Sequence, residues 1–539
     1  MQLFLYILVP LRLSIPYRNL YLRTIATFME ITNNNQRIAK NTILLYIRML
    51  VIMLVSLYTS RIVLNVLGVV DYGIYNVVGG IVGMFTFVNG ALSNSTQRYI
   101  TFAIGRGDIE RLSVVFTTCV QVHLIIALLI TALSETVGLW FFYDKLVIPD
   151  DRIVAAMWVY QLSILTMFVD VISVPYNSVI VAHEQMGVYA VISVIEVIMR
   201  LVIVYLLMIG NFDKLILYAS LIVFVQFFLR FLYTQYCSKH YSETKLVSVI
   251  NLRLLKEIGK FMGWNMWGNM AGVFYNTGLN LLLNIFFGPV VNAARGVAVQ
   301  VEGAILRFSN NFLMAVSPQI TKLYAKDNIP EMHKLIFRSS KITFFLLLTL
   351  SMPVFMETEM ILTLWLKIVP EHTINFIRIL LSISILDAVA RPLITAANAT
   401  GNVKLYQAVI GGILLTIAPI AYLVLRLGGN PESVYIVHLT VGLIAYITRL
   451  IIIRPMIKLS LRAYFNRVIT RCFYVVIFAF PLCFFAKNML SSSISDSIIV
   501  CLVSGVIVAG ASYMFGLTSV ERSFINSKCI TSVLRKKKQ

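Results

Sequence analysis

Charge is scarce in this chain, and negative charge scarcer still: 13% of its 539 residues are charged, with 24 acidic residues against 45 lysines and arginines. With 59% hydrophobic residues and a mean hydropathy of +0.84, no single buried core could hide the apolar surface, which excludes a soluble globular protein. Cys119, Cys237, Cys472, Cys483, Cys501 and Cys529 have no short metal-ligand spacing, so they imply neither a metal site nor a disulfide framework and read as packing residues. No glycine-rich phosphate loop of Walker type occurs, so the chain itself does not hydrolyse ATP. No cofactor is implied. Connections between apolar runs reach only about two dozen residues, too short for a catalytic domain outside a membrane.

What the chain does have is apolar runs. A helix needs roughly 20 such residues to cross a bilayer, and about fourteen spans are expected: 42–66, 73–97, 112–142, 153–180, 187–209, 214–237, 261–287, 294–324, 335–356, 373–397, 403–427, 433–453, 468–488 and 495–516. Continuous runs containing prolines predict helices, since barrel strands would read as ~10-residue alternating segments. The prolines at 318, 353, 392, 419 and 481 mark kinks. The expected fold is therefore an all-α polytopic membrane protein of an inner-type membrane. Basic residues concentrate in alternate connections: Lys239, Lys245, Arg253, Lys256 and Lys260, then Lys322, Lys326, Lys334, Arg338 and Lys341, then Arg454, Lys458, Arg462, Arg467 and Arg471. This is the positive-inside pattern; it predicts both termini in the cytoplasm and argues against nucleic acid as the partner of the +21 charge. Residues 1–28 do not read as a signal peptide, and Met29 is the expected true start.

Internal similarity recurs at an offset of about 220 residues. Gly68 ends the first span as Gly288 ends the seventh, and pairing Ser95 with Ser317 also pairs Gln97 with Gln319 and Ala103 with Ala325. Six spans separate the copies, so two parallel repeats are expected, an architecture of transporters that rock one bundle against the other around a central cavity. The expected organisation is an N-terminal segment to residue 40, a first lobe over 41–237, a linker over 238–260, a second lobe over 261–456, two extra helices over 457–518 and a basic tail over 519–539.

Polar residues inside the spans are the candidate site. Arg48 and Arg61 lie in the first span, where an arginine costs at least ~2.5 kcal/mol and is a functional hypothesis by default. Arg61 sits near the outer end, where snorkelling to the interface is the competing explanation. Asn265, Asn269, Asn276 and Asn280 fall within about 60° on one helical face, either gluing helices together or offering amides to a polar ligand. Arg295, Glu302 and Ser309 share a face of the eighth span, with Arg307 turned roughly 120° away. Arg295 and Glu302 are about 10 Å apart along the axis and need partners elsewhere, on other helices or in a wet cavity. Glu196 with Arg200 and Asp387 with Arg391 are i, i+4 pairs expected to neutralise each other. Asp170 has no local partner and precedes Pro175, which frees a carbonyl near Val171, so it is the candidate for a coupling ion, H⁺ or Na⁺.

The segment from Asn41 to Asp108, NTILLYIRMLVIMLVSLYTSRIVLNVLGVVDYGIYNVVGG...GALSNSTQRYITFAIGRGD, resembles bacterial polysaccharide transporters that flip lipid-linked O-antigen or related glycan units, within the superfamily of multidrug and toxin extruders and lipid II flippases. The resemblance implies a V-shaped pair of six-helix lobes in the bacterial inner membrane. It also implies a cationic cavity on spans one, two, seven and eight that binds the diphosphate of an undecaprenyl-diphosphate-linked oligosaccharide, with membrane lipids and glycan polymerase or ligase machinery as further partners. On those four spans stand Arg48, Arg61, Arg98, Arg295 and Arg307, whose forked guanidinium suits phosphate. Two other functions compete: a cation-coupled multidrug exporter, for which an aromatic wall with a carboxylate would suit, and a membrane glycosyltransferase or glycan polymerase.

Overall fold

The computed structural model describes residues 37–523 apart from 57, 60, 61, 64, 65, 68–70, 72, 73, 76, 77, 80–85, 146, 147, 210, 211, 249, 250, 367, 368, 491, 492 and 520. Arg61, the segment 1–28 and the basic end of the tail thus lie outside the described residues. Among the described residues there is no β-strand. The helices follow the expected order: α1 Arg37–Ser56, α2 Thr86–Arg106, α3 Ile109–Leu133, α4 Ile153–Ala182, α5 Met186–Leu206, α6 Lys214–His240 and α7 Leu252–Phe287. Then come α8 Pro289–Ala325, α9 Ile329–Met356, α10 Thr373–Thr400, α11 Lys404–Arg426, α12 Ser433–Met456, α13 Leu461–Met489 and α14 Ile494–Gly516. Among the described residues twelve helices are long and apolar enough to cross a membrane; α2 and α8, the latter diluted by Arg295, Glu302 and Arg307, bring the number to the expected fourteen.

The chain enters α1 at what we call the near face and reaches the far face with alternate connections. The expected linker is shorter than its 238–260 span, because α7 starts at Leu252 and packs Ile258, Phe261 and Met262 against the core of the first repeat. Of the kinks expected at prolines, the one at Pro419 breaks α11 into Lys404–Leu415 and Ile417–Arg426. Its ring removes the donor that Leu415 would need. Pro318, Pro353 and Pro392 are carried within continuous helices.

The two repeats show themselves in their turns as well as their helix count. At the near face, Gly107 (φ 72°) precedes the α3 cap Asp108, and Asp327 (φ 54°) precedes the α9 cap Asn328. Glu184 (φ 62°) follows α4 as Gly401 (φ 78°) follows α10. At the far face, Arg152 opens α4 and binds Asp213, the N-cap of α6, while His372 opens α10 and binds Glu432, the N-cap of α12. Each pair is separated by about 220 residues, the offset of the sequence repeat.

The first repeat packs around Phe116, Tyr160 and Ile180, and the second around Phe376, Leu381, Tyr435 and a further cluster reaching α13 and α14. The described contacts between the repeats lie in the half nearer the near face. There α2 crosses α8 so closely that a Cβ on Gly105 would stand 2.7 Å from Ala325 Cβ. Small residues at such crossings let helix backbones approach. Further from that face, Tyr46 meets Phe308 at 5.7 Å between ring centroids, and Gly90 faces Asn269.

Candidate functional site

The asparagine stripe of α7 divides along its length. Asn265, nearest the near face, is buried and accepts from Gln407 Nε2 at 3.1 Å while donating to Phe261 O, so it joins helices. Asn269 is half-buried against Gly90, and Asn276 and Asn280 are exposed. One helix face therefore serves as glue at one end and as an open amide surface towards the other.

Helix α8 presents two polar faces with different fates. Arg295 is buried and donates to Asn276 O at 2.7 Å and to Tyr435 Oη at 3.3 Å. Glu302 accepts from Ser384 Oγ on α10, and Ser309 is fully buried. The face spaced by sevens is thus engaged with α7, α10 and α12. Turned roughly 120° from it, Gly296, Gln300, Ala304, Arg307 and Asn310 are exposed at helical spacing. Among the described residues Arg307 forms no ion pair, and Asn310 Oδ1 accepts from Arg391 Nη1 at 2.6 Å. The sequence reading missed Gln300 and Asn310; their signal was the recurrence of Gly296, Gln300, Ala304, Arg307 and Asn310 every three or four positions.

Arg48 is half-buried. Its guanidinium stacks 4.4 Å from the Tyr189 ring centroid on α5 and donates to Tyr189 Oη at 3.3 Å, leaving a buried Nε without an acceptor. Arg98 is not an ordinary surface charge. It is buried at the near face, donates from Nε and Nη2 to Ala399 O on α10 (3.3 and 3.1 Å), and lies against the rings of Tyr99, Phe102 and Phe261. It approaches Gly401 so closely that any side chain there would collide with its guanidinium.

One expectation about carboxylates needs correction and another is filled in. Asp170 has no partner one turn away, as expected, but Gln226 Nε2 on α6 donates to it, and Arg230 Nη1 donates to Ile172 O at 2.7 Å, supplying a donor to the backbone loosened by Pro175. Asp387 and Arg391 do not pair within their helix; Arg391 reaches Asn310 instead, and Asp387 is exposed and forms no ion pair among the described residues. It interacts electrostatically with Arg391 and with Arg449, a buried arginine of α12 that the sequence reading did not single out. Glu196 and Arg200 do pair, at 2.9 Å.

At the far face the cap clusters hold charge outside the spans. Arg152 grips Asp71 through two bonds (2.9 and 2.5 Å) and Asp213 at 2.7 Å. Burial pushes the Asp213 carboxyl up, but hydrogen bonds from Arg152 and from the amides of Ile216 and Leu215 outweigh it and hold it below its usual value. At Glu432 burial is likewise outweighed by hydrogen bonds from Asn375 and His372. Among the described residues no cluster of three or more His, Cys, Asp or Glu is arranged to hold a metal.

No protein-family model matches this chain, and no curated protein sequence is significantly similar to it. Solved structures do resemble it. A point variant of a MATE transporter matches with a TM-score of 0.69 and 15% identity over 79% of this chain and 96% of that one. A MOP superfamily transporter from Pyrococcus furiosus, described as having a binding pocket of reversed polarity that suggests a different function, matches at 0.65 and 15% over 80% and 96%. A MATE transporter from Vibrio cholerae matches at 0.63 and 16% over 80% and 99%. The chain has the fold of these transporters.

Proposed function

We propose that this chain is a flippase that moves an undecaprenyl-diphosphate-linked oligosaccharide, an O-antigen, capsule or related surface-glycan unit, from the cytoplasmic to the outer leaflet of a bacterial inner membrane by alternating access. The near face is then the cytoplasmic one. The observation that carries this reading is the exposed face of α8, where Arg307 has no ion-pair partner among the described residues and shares its face with the amides of Gln300 and Asn310, while Asn276, which meets α8 at Arg295, and Asn280 leave exposed amides on the neighbouring α7. A guanidinium free to fork onto phosphate, flanked by amides that can hydrogen-bond hydroxyls, suits a sugar diphosphate. Arg48, with its unsatisfied Nε, is a second cation for the same ligand. Arg295, Glu302 and Arg98 support the wall from behind. The test is Arg307→Ala and Arg48→Ala at normal membrane abundance: surface glycan is expected to fall and lipid-linked intermediate to accumulate, and undiminished glycan in both would reject the phosphate role.

Asp387 favours a second reading, a cation-coupled multidrug exporter. It is an exposed carboxylate amid Tyr275, His438 and Arg449, and it could meet a cationic drug or a coupling H⁺ or Na⁺. Drug susceptibility of a deletion strain separates the two, since a flippase leaves it unchanged.

A further inference from the structure

Glu184 occupies an unusual position for an acid. Its side chain is 1% exposed, and its backbone is left-handed at φ 62°, which costs a non-glycine residue roughly 1–2 kcal/mol. Its counterpart in the second repeat, Gly401, adopts the same conformation without that cost. Around the carboxylate converge Lys322 Nζ at 2.5 Å and Gln319 Nε2 at 2.5 Å from α8, and Arg37 Nη2 at 3.2 Å from α1. Asn41 Nδ2 fixes the Glu184 carbonyl at 3.1 Å. Lys40, one turn from Arg37, is exposed at the same mouth. The ion pair to Lys322 therefore ties the first repeat to the second, where the Gly105 crossing also closes them.

The matching tie at Gly401 is built differently, from Arg98 to a carbonyl oxygen; the nearby Glu257 carboxylate accepts from Tyr99 and, among the described residues, forms no ion pair with Arg98. A buried carboxylate is held only while cations and donors surround it, and removing them leaves an uncompensated charge. A phosphate brings more negative charge and more acceptor oxygens than a carboxylate.

Resting on the anionic-lipid reading above, we propose that Glu184 is a tethered place-holder for phosphate. A polyprenyl diphosphate arriving at the near face binds Lys322, Arg37 and Gln319 in its stead, expels the carboxylate and so unties the repeats. One tie is thereby switched by the ligand while the other, at Arg98, is passive. Ligand arrival and opening become one event.

The test uses the full chain in vesicles with a reporter cysteine at Ala315, a fully buried residue packed with Leu45 and Val181 between the repeats, labelled above the background of the parent; Met314→Cys serves if Ala315→Cys does not fold. Polyprenyl diphosphate, inorganic pyrophosphate and neutral polyprenol are added in turn. The diphosphate lipid is expected to raise labelling severalfold and polyprenol not at all, while pyrophosphate reports whether the free anion suffices. Glu184→Gln and Lys322→Gln are expected to label strongly without ligand and to respond no further, and Arg37→Gln to stay closed but respond weakly. Closed Glu184→Gln and Lys322→Gln proteins, or an undiminished ligand response in Arg37→Gln and Lys322→Gln, would overturn the place-holder while leaving the flippase reading intact. An open Glu184→Gln protein combined with a wild type indifferent to every diphosphate would overturn the anionic-lipid reading itself, and the place-holder with it.

Discussion

A guanidinium taken into a bundle of apolar helices must find acceptors, and Arg98 finds one in the Ala399 carbonyl that a side chain at residue 401 would block. Arg98→Ala removes a charge-assisted bond of about 1.5–3 kcal/mol, and Gly401→Ala adds roughly 1–2 kcal/mol of left-handed strain to a collision. Both are expected to lower the melting temperature of the purified protein in detergent. Arg307, with no ion-pair partner among the described residues, should behave in the opposite way: Arg307→Ala is expected to keep the melting temperature while lowering the flipping proposed above. Asp170→Asn should keep both, because an amide oxygen can still accept from Gln226. The sequence marks each of these charged residues as a charge in hydrocarbon, but which are engaged depends on residues far along the chain, such as Gln226 for Asp170, Ala399 for Arg98 and Asn310 for Arg391. That is why the expected Asp387–Arg391 pair fails, with Arg391 drawn to Asn310, while Glu196–Arg200 forms.

Helix α8 shows what periodicity can and cannot reveal. Spacing places Arg295, Glu302 and Ser309 on one face and Arg307 on another, and the structure keeps that division. It cannot say which face meets protein, since both are polar; Tyr435 and Ser384 decide it by offering hydrogen bonds to the first. Arg295→Ala is therefore expected to destabilise more than Arg307→Ala, with the difference read in thermal melts. The capping elements at the far face carry a pH signature. Asp213 and Glu432 both titrate below their usual values in the folded protein, so the stability they add is complete above the unfolded values near 4 and is lost as pH falls through the lower folded ones. Asp213→Asn and Glu432→Gln should flatten the fall in melting temperature between about pH 5 and 3, and an unchanged profile would count against the caps.

Across the whole molecule, fourteen spans and a repeat were readable because an apolar run recurs at every bilayer crossing and the basic connections at every second one. What joins the parts was not, because it rests on single residues at helix ends. The added pair α13 and α14 is an example: Lys341, buried in α9, ends against Glu521 at 2.6 Å just beyond α14, and Arg471 donates to Leu517 O. Glu521→Ala should strand a buried cation at a cost on the order of 3–5 kcal/mol, visible as lost membrane abundance, and adding Lys341→Met should restore most of it.

The knot of contacts at Glu184 also bears on how the chain is made. Its partners in α1, Arg37 and Asn41, leave the ribosome before it, whereas Lys322 follows 138 residues later, a delay of roughly 7–28 s at ordinary rates of synthesis. During that interval the first six helices can be inserted with the carboxylate already attended by Arg37, so the nascent half never has to shelter a bare charge while it waits for its twin.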